Sequence, residues 1–168
     1  MALTQIIGDG LATSGLPTGS VVQVVNVQTG ASATTTSAIS YDDTIMQNSE
    51  GAEFMTLAIT PNSATNKLKI DVVFACAVNT TNKIVTVGLF QDSTANALAI
   101  GASVESLANS PFLMNFSHFM TSGTTSSTTF KVRAGADTSA TLTFNGQSGS
   151  RKYGGVYASS ITITEIAV

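Results

Sequence analysis

The sequence predicts an all-β fold: an antiparallel β-sandwich, jelly-roll-like, with an extended N-terminal arm. Three observations carry that prediction. Apolar residues recur at every second position in about eight to ten short runs. The runs are separated by Gly-, Ser-, Thr- and Asn-rich breaks at spacings of about 8 to 15 residues. No apolar period of 3.6 persists long enough for a helix. A chain of 168 residues and 17.2 kDa fits one domain, able to bury about 70% of the surface its unfolded form exposes. Residues 1–19 are expected to form the arm and residues 20–168 the sandwich.

In the arm, MALTQIIGDGLATSGLPTG, Gly8, Gly10, Gly15, Pro17 and Gly19 interrupt any regular element, while Leu3, Ile6, Ile7, Leu11 and Leu16 are too apolar for a solvated tail. Such residues are buried either on the chain's own sheet or on another chain, and partner docking is the reading taken forward. SVVQVVNVQT, residues 20–29, is the first strand. GASATTTSAIS, residues 30–40, suits a loop or an edge strand and is read as a loop, followed by a turn at Asp42 and Asp43. EFMTLAIT, residues 53–60, places Phe54, Thr56 and Ala58 on one face, Met55, Leu57 and Ile59 on the other, and is stopped by Pro61.

The organising strand lies within residues 62–78. Ile70, Val72, Phe74, Cys76 and Val78 mark one face, while the other changes from Lys67, Lys69 and Asp71 to Val73, Ala75 and Ala77. A strand that begins half-wet and ends apolar on both sides belongs at the centre of a covered sheet. NTTNK, residues 79–83, has a hairpin-turn composition, so IVTVGLFQ, residues 84–91, is expected to pair antiparallel with the organising strand. A turn at residues 92–96 precedes a weak apolar run at 97–102. In PFLMNFSHFMT, residues 111–121, Phe112, Met114, Phe116, His118 and Met120 share a face that is either core or an intersubunit contact. TTFKVRAG, residues 128–135, turns Phe130, Val132 and Ala134 inward; residues 141–145 and 156–166 complete the set, the last tied down inside a sheet.

Composition excludes several functions. Charged residues make up 10% of the chain and Ser plus Thr roughly a quarter, which suits hydroxyl-rich sheet faces partly covered by neighbours. Net charge is -3 and the seven basic residues are scattered, so no nucleic-acid footprint forms. The N-terminus lacks a signal-peptide n-region, and the apolar run from Val72 to Val78 is far short of a membrane span, so a soluble protein made in the cytoplasm is expected. Cys76, the only cysteine, reads as a small buried thiol.

Chemistry-bearing patterns are sparse. His118 is the only histidine, which leaves no two-histidine metal site, and it stands among Phe and Met side chains without a nucleophile elbow. At a subunit contact its protonation would weaken assembly below about pH 6. Asp42, Asp43, Glu50 and Glu53 lack the alternation of a calcium loop and read as a solvated turn. Asn79 and Asn115 head sequons of a kind expected by chance in a chain this rich in Ser and Thr. Tyr153 and Tyr157, beside Arg151 and Lys152, form the one aromatic-polar cluster suited to a glycan, and serve equally as sheet-edge hydrogen-bonding tyrosines. No catalytic residue, metal or cofactor is expected.

As an ordered set, GLPTGSVVQVV, LAITPNSATNKLKIDVVF, FKVRAG and GGVYASSITITEIAV resemble small virion proteins and fibre domains of tailed bacteriophages, over most of residues 15–168. The resemblance implies a non-enzymatic β-sandwich that trimerises on the outside of a virion. A capsid decoration (cement) protein braces adjoining major capsid protein subunits; a tail-fibre tip contacts the host surface and its polysaccharide. A short chain with its own Met1 and no repetitive shaft favours decoration. Its arm residues Leu3, Ile6, Ile7, Leu11 and Leu16 are then expected to dock on capsid subunits, with neither nucleic acid nor membrane as partner.

Overall fold

The computed structural model describes residues 16–168, and the protein is an all-β antiparallel sandwich. Its strands are β1 (Val21–Thr29), β2 (Ala33–Thr35), β3 (Ala52–Ile59), β4 (Lys67–Val78), β5 (Lys83–Gln91), β6 (Ala99–Glu105), β7 (Phe112–Thr121), β8 (Thr128–Ala136), β9 (Leu142–Phe144), β10 (Gly146–Gln147), β11 (Ser150–Arg151) and β12 (Ser159–Ile166). One sheet runs β1-β12-β4-β7, with the short β9 and β2 continuing the lines of β12 and β1. The other runs β3-β8-β5-β6. Two four-stranded sheets in these orders are the jelly-roll arrangement.

The organising strand behaves as its pattern predicts. β4 pairs with β7 along one edge, and with β12 and then β9 along the other. Its burial grows from alternating to complete over Ala75–Val78. Leu68, Ile70, Val72 and Phe74 face Val85, Val87 and Leu89 of β5 and Phe130 and Val132 of β8 in one core. Each large aliphatic or aromatic side chain there contributes roughly 1.5 to 3 kcal/mol by leaving water.

Three expectations are corrected. β4 and β5 do not form a hairpin: they lie in different sheets, and residues 79–82 carry the chain across the sandwich. β5 is buried on both faces from Val85 to Phe90, so it needs partners on both edges, which β8 and β6 supply. Residues 30–40 are not wholly loop, because Ala33–Thr35 pairs with β9. In β3, a register shift between Glu53 and Met55 breaks strict alternation. Phe54 therefore also reaches the core, its ring 5.6 Å from that of Phe74 and 4.9 Å from that of Phe144, beside the buried Met55.

Residues 37–50 form a strap across the outer face of the second sheet. Ile39 N–H donates to Ala136 O at 2.9 Å, Ala97 N–H to Met46 O at 3.0 Å, and Ile39, Met46 and Phe90 make a second small core. Two strand glycines permit this close approach: a Cβ on Gly135 would stand 2.4 Å from Ser37 O, and one on Gly88 2.6 Å from Met46 Sδ.

Candidate functional site

Strand β6 is turned inside out relative to an ordinary sandwich edge. Its inward positions are Ala99, Gly101, Ser103 and Glu105, while Ile100 and Val104 point outward and are 45% and 63% exposed. The cause lies across the seam. A Cβ on Gly101 would meet Met114 Sδ at 2.8 Å and the Phe116 ring at 2.9 Å, so large side chains of β7 fill the space that β6 would otherwise occupy. Tyr41 and Ile45 of the strap are likewise exposed, and Tyr41, Met46, Ile100 and Ala102 share the lining of a cavity of about 180 Å³. Among the described residues β6 pairs only with β5, and none of them pairs with its other edge, beside an apolar strip. Asp42 borders the strip, but its carboxylate accepts from the Thr44 hydroxyl at 2.5 Å and Thr44 N–H at 2.8 Å, which holds it below the usual carboxylate range.

The N-terminal arm joins the sandwich at the start of β4. Leu16, half-buried, lines a cavity of about 330 Å³ with Asn62, Ser63, Asn66, Ala167 and Val168. Leu3, Ile6, Ile7 and Leu11 lie outside the described residues. Behind the cavity Glu165 is fully buried, with no cation beside it among the described residues. Its carboxylate accepts from Gln23 Nε2 at 2.6 Å, Asn66 Nδ2 at 2.7 Å, Asn62 N–H at 2.9 Å, Asn62 Nδ2 at 3.0 Å and Ser63 N–H at 3.2 Å. Burial alone raises its pKa, but the donors together outweigh burial and hold it below its ordinary value. The carboxylate thus fastens residues 62–66, which lead into β4, to the last strand.

At the other end of β4 stands an excursion from a single strand. Phe144 lies opposite Cys76 and Ser160 opposite Val73, so Asn145 and Ser159 complete an unbroken strand line and residues 146–158 loop out between them. Asn145 has a φ of 51°, a conformation Asn tolerates. Within the loop Tyr153 is 76% exposed and its ring lies 6.3 Å from that of Tyr157. The Tyr157 hydroxyl donates to Phe112 O at 2.6 Å, and burial pushes its pKa up to about 12. The two tyrosines therefore divide the roles suggested for them: Tyr157 ties the loop down and Tyr153 is displayed.

The remaining candidates stay apart. His118 is half-buried on β7, opposite Ile70. Glu50 accepts from Ser40 and Gln47 N–H groups, while Glu53 stands 3.8 Å from Arg133 and 3.9 Å from Lys131. Among the described residues no group of three or more His, Cys, Asp or Glu is placed to hold a metal. Cys76 is fully buried, and burial holds its thiol well above the ordinary value. The apolar strip on β6 escaped sequence reasoning because AIGASVE alternates without saying which set faces in; Gly101 within a strand was its one signal.

No family model matches the chain, and no curated protein matches it. Among solved structures it is similar to the VP2 subviral particle of infectious bursal disease virus, with a TM-score of 0.41 and 12% identity over 96% of this chain and 41% of that one. Structures of the Gt and Gx strains of the same virus give TM-scores of 0.39 and 0.38, at 13% and 16% identity, covering 97% and 88% of this chain. The chain spans about two fifths of the length of those chains.

Proposed function

We propose that this protein is a non-enzymatic structural component on the exterior of a tailed-phage virion, a homotrimeric decoration protein that braces major capsid protein subunits. The observation that carries the reading is the inside-out β6. Ile100 and Val104, with Tyr41 and Ile45, give the sandwich a lateral apolar surface beside a strand edge that no described residue pairs with. A second copy is the occupant assigned to it, because the strip is uncharged apart from carboxylates at its border and the only partner guaranteed at high local concentration on a repeating lattice is another copy.

The ends of β4 supply the other half of the argument. Its twelve residues span roughly 36 Å at about 3.3 Å per residue. Leu16, the first described residue of the arm, lies at one end, and the looped excursion stands at the other; Leu3, Ile6, Ile7, Leu11 and Leu16 are the anchors assigned to the arm. A brick held to a shell by its arm end would present the loop end outward. One buried aliphatic anchor yields roughly 1.5 to 3 kcal/mol before the arm's ordering entropy is subtracted. Three linked arms raise occupancy with no new type of contact.

A second reading, a tail-fibre tip touching host-surface polysaccharide, is favoured by the display of Tyr153 at the loop end. Deletion of residues 1–16 separates the two. On the decoration reading, the truncated protein remains a folded trimer but no longer sediments with purified shells; undiminished shell binding would overturn it.

A further inference from the structure

We propose that the groove at the loop end of the sandwich binds a neutral glycan. This site goes beyond the assembly role and does not depend on it. The groove, about 560 Å³, lies between the ends of β4 and β7 and the β10–β11 hairpin, and Thr34, Asn79, Asn109, Thr141 and Ser148 line it.

Two of its amides are fixed by bonds that use only their oxygen. Asn79 Oδ1 accepts Thr141 N–H at 2.8 Å and the Thr80 hydroxyl at 3.0 Å. Asn109 Oδ1 accepts the Ser148 hydroxyl at 3.0 Å, while the Asn109 backbone is pinned by its N–H to Val78 O at 2.6 Å and by Gln147 Nε2 donating to its carbonyl at 2.5 Å. Neither Nδ2 donates to another group among the described residues, and the hydroxyls of Thr34 and Thr141 are also unspent. Four N–H donors on two pre-oriented amides, with two free hydroxyls, therefore border one concavity.

The ligand class follows from what the lining lacks and what it offers. Among the described residues no ionisable side chain lines the groove, so a phosphate or uronate would lose its hydration with no cation there to replace it. None of the described lining residues is large and apolar either, which leaves a hydrophobic peptide without an anchor. Vicinal sugar hydroxyls both donate and accept, and they match amide donors set beside free hydroxyls. Affinity per site is expected on the order of 1 mM, since each neutral hydrogen bond gains little over water.

The test uses the isolated full chain, labelled with ¹⁵N and titrated with neutral oligomers of glucose, mannose and galactose, with oligogalacturonate and inorganic phosphate as charged controls. At about 20 mM, well above the millimolar scale, at least one neutral oligomer should shift the side-chain amide resonances of Asn79 and Asn109, and the controls should not. The double variant Asn79→Asp, Asn109→Asp keeps both Oδ1 acceptors and removes every unspent N–H. It should weaken binding at least about tenfold, with its urea midpoint and its shell binding unchanged. Silent amides with every neutral oligomer, larger shifts with the charged controls, or undiminished binding by the double variant would each overturn the assignment. Because no shell is present in the titration, its failure leaves the decoration reading standing.

Discussion

The Ser159 hydroxyl donates to Asn145 Oδ1 across 2.7 Å, with both residues fully buried, and so joins the two residues between which thirteen others, 146–158, leave the strand line. Each end of that bond also holds the main chain. Ala75 N–H donates to Ser159 Oγ at 2.8 Å, Asn145 N–H donates to Ala75 O at 2.8 Å, and Asn145 Nδ2 donates to Thr29 O at 2.7 Å and Ala31 O at 3.0 Å. Asn145→Ala would leave the buried Ser159 hydroxyl and two part-buried carbonyls, those of Thr29 and Ala31, without their partner, at a cost of about 3 kcal/mol. Ser159→Ala, which orphans Ala75 N–H and Asn145 Oδ1, should cost about 2 kcal/mol. Urea unfolding of the two variants checks the order as well as the size.

Because Asn145 and Ser159 stand opposite the consecutive residues Ala75 and Phe74, excising residues 146–158 and joining the flanks should leave the register of β12 on β4 intact. The shortened chain is expected to unfold in one cooperative transition while losing the tie from Tyr157 to Phe112. A non-cooperative transition, or loss of near-ultraviolet dichroism, would show that the loop is needed for folding.

The strap over the second sheet makes two glycines unequal. At Gly135 an added Cβ meets a backbone oxygen, whereas at Gly88 it meets the flexible end of Met46. Gly135→Ala should therefore cost about 2 to 3 kcal/mol, and Gly88→Ala about 1 kcal/mol. Combining Gly88→Ala with Met46→Ala should show a coupling of at least about 0.5 kcal/mol, because the second change removes the atom the first collides with. Guanidinium titrations of the double-mutant cycle measure it.

How far these features were legible in the sequence depended on whether one strand or two had to be known. The half-wet, then wholly apolar face of β4 is a property of one segment, whereas the placing of residues 156–166 inside a sheet came from their position at the end of the chain. The β4–β5 crossing was not legible, because Asn79–Lys83 has the composition of a hairpin turn and only the jelly-roll order sends β5 to the other sheet. Asn145 and Ser159 are fourteen positions apart, and nothing local marks them as neighbours. The amides of Asn79 and Asn109 became a candidate site only when the ends of β4 and β7 were brought beside the β10–β11 hairpin.

Glu165 makes stability depend on acid. Its folded-state pKa lies below the ordinary value of 4.5 because the donors outweigh the burial that opposes them. Its contribution is therefore complete above that unfolded value and is lost as pH falls through the depressed folded value. Urea midpoints measured from about pH 7 down to about pH 3 should fall at the acidic end, with residues 62–66 losing amide protection first. Glu165→Gln should be less stable at pH 7, since its amide nitrogen faces other donors, and should lose part of this acid slope. An unchanged slope in the variant would assign the acid sensitivity to other carboxylates.

The lateral strip on β6 carries the assembly reading, and fold and assembly respond differently to changes there. Ile100 and Val104 point away from the core, so Ile100→Lys with Val104→Lys should leave the stability of the single subunit within about 0.5 kcal/mol. Two charges placed in an apolar contact would prevent association, because an unpaired charge buried there has no compensating partner. Gly101→Ala is the opposite case: its Cβ strikes Met114 and Phe116 across the seam, so it should destabilise the subunit while leaving the outward strip in place. Sedimentation equilibrium should then find a trimer for the wild type and a folded monomer for the double lysine variant, with a Gly101→Ala protein that unfolds earlier yet still associates. A wild type that is monomeric, or a lysine variant that still forms trimers, would remove β6 from the interface.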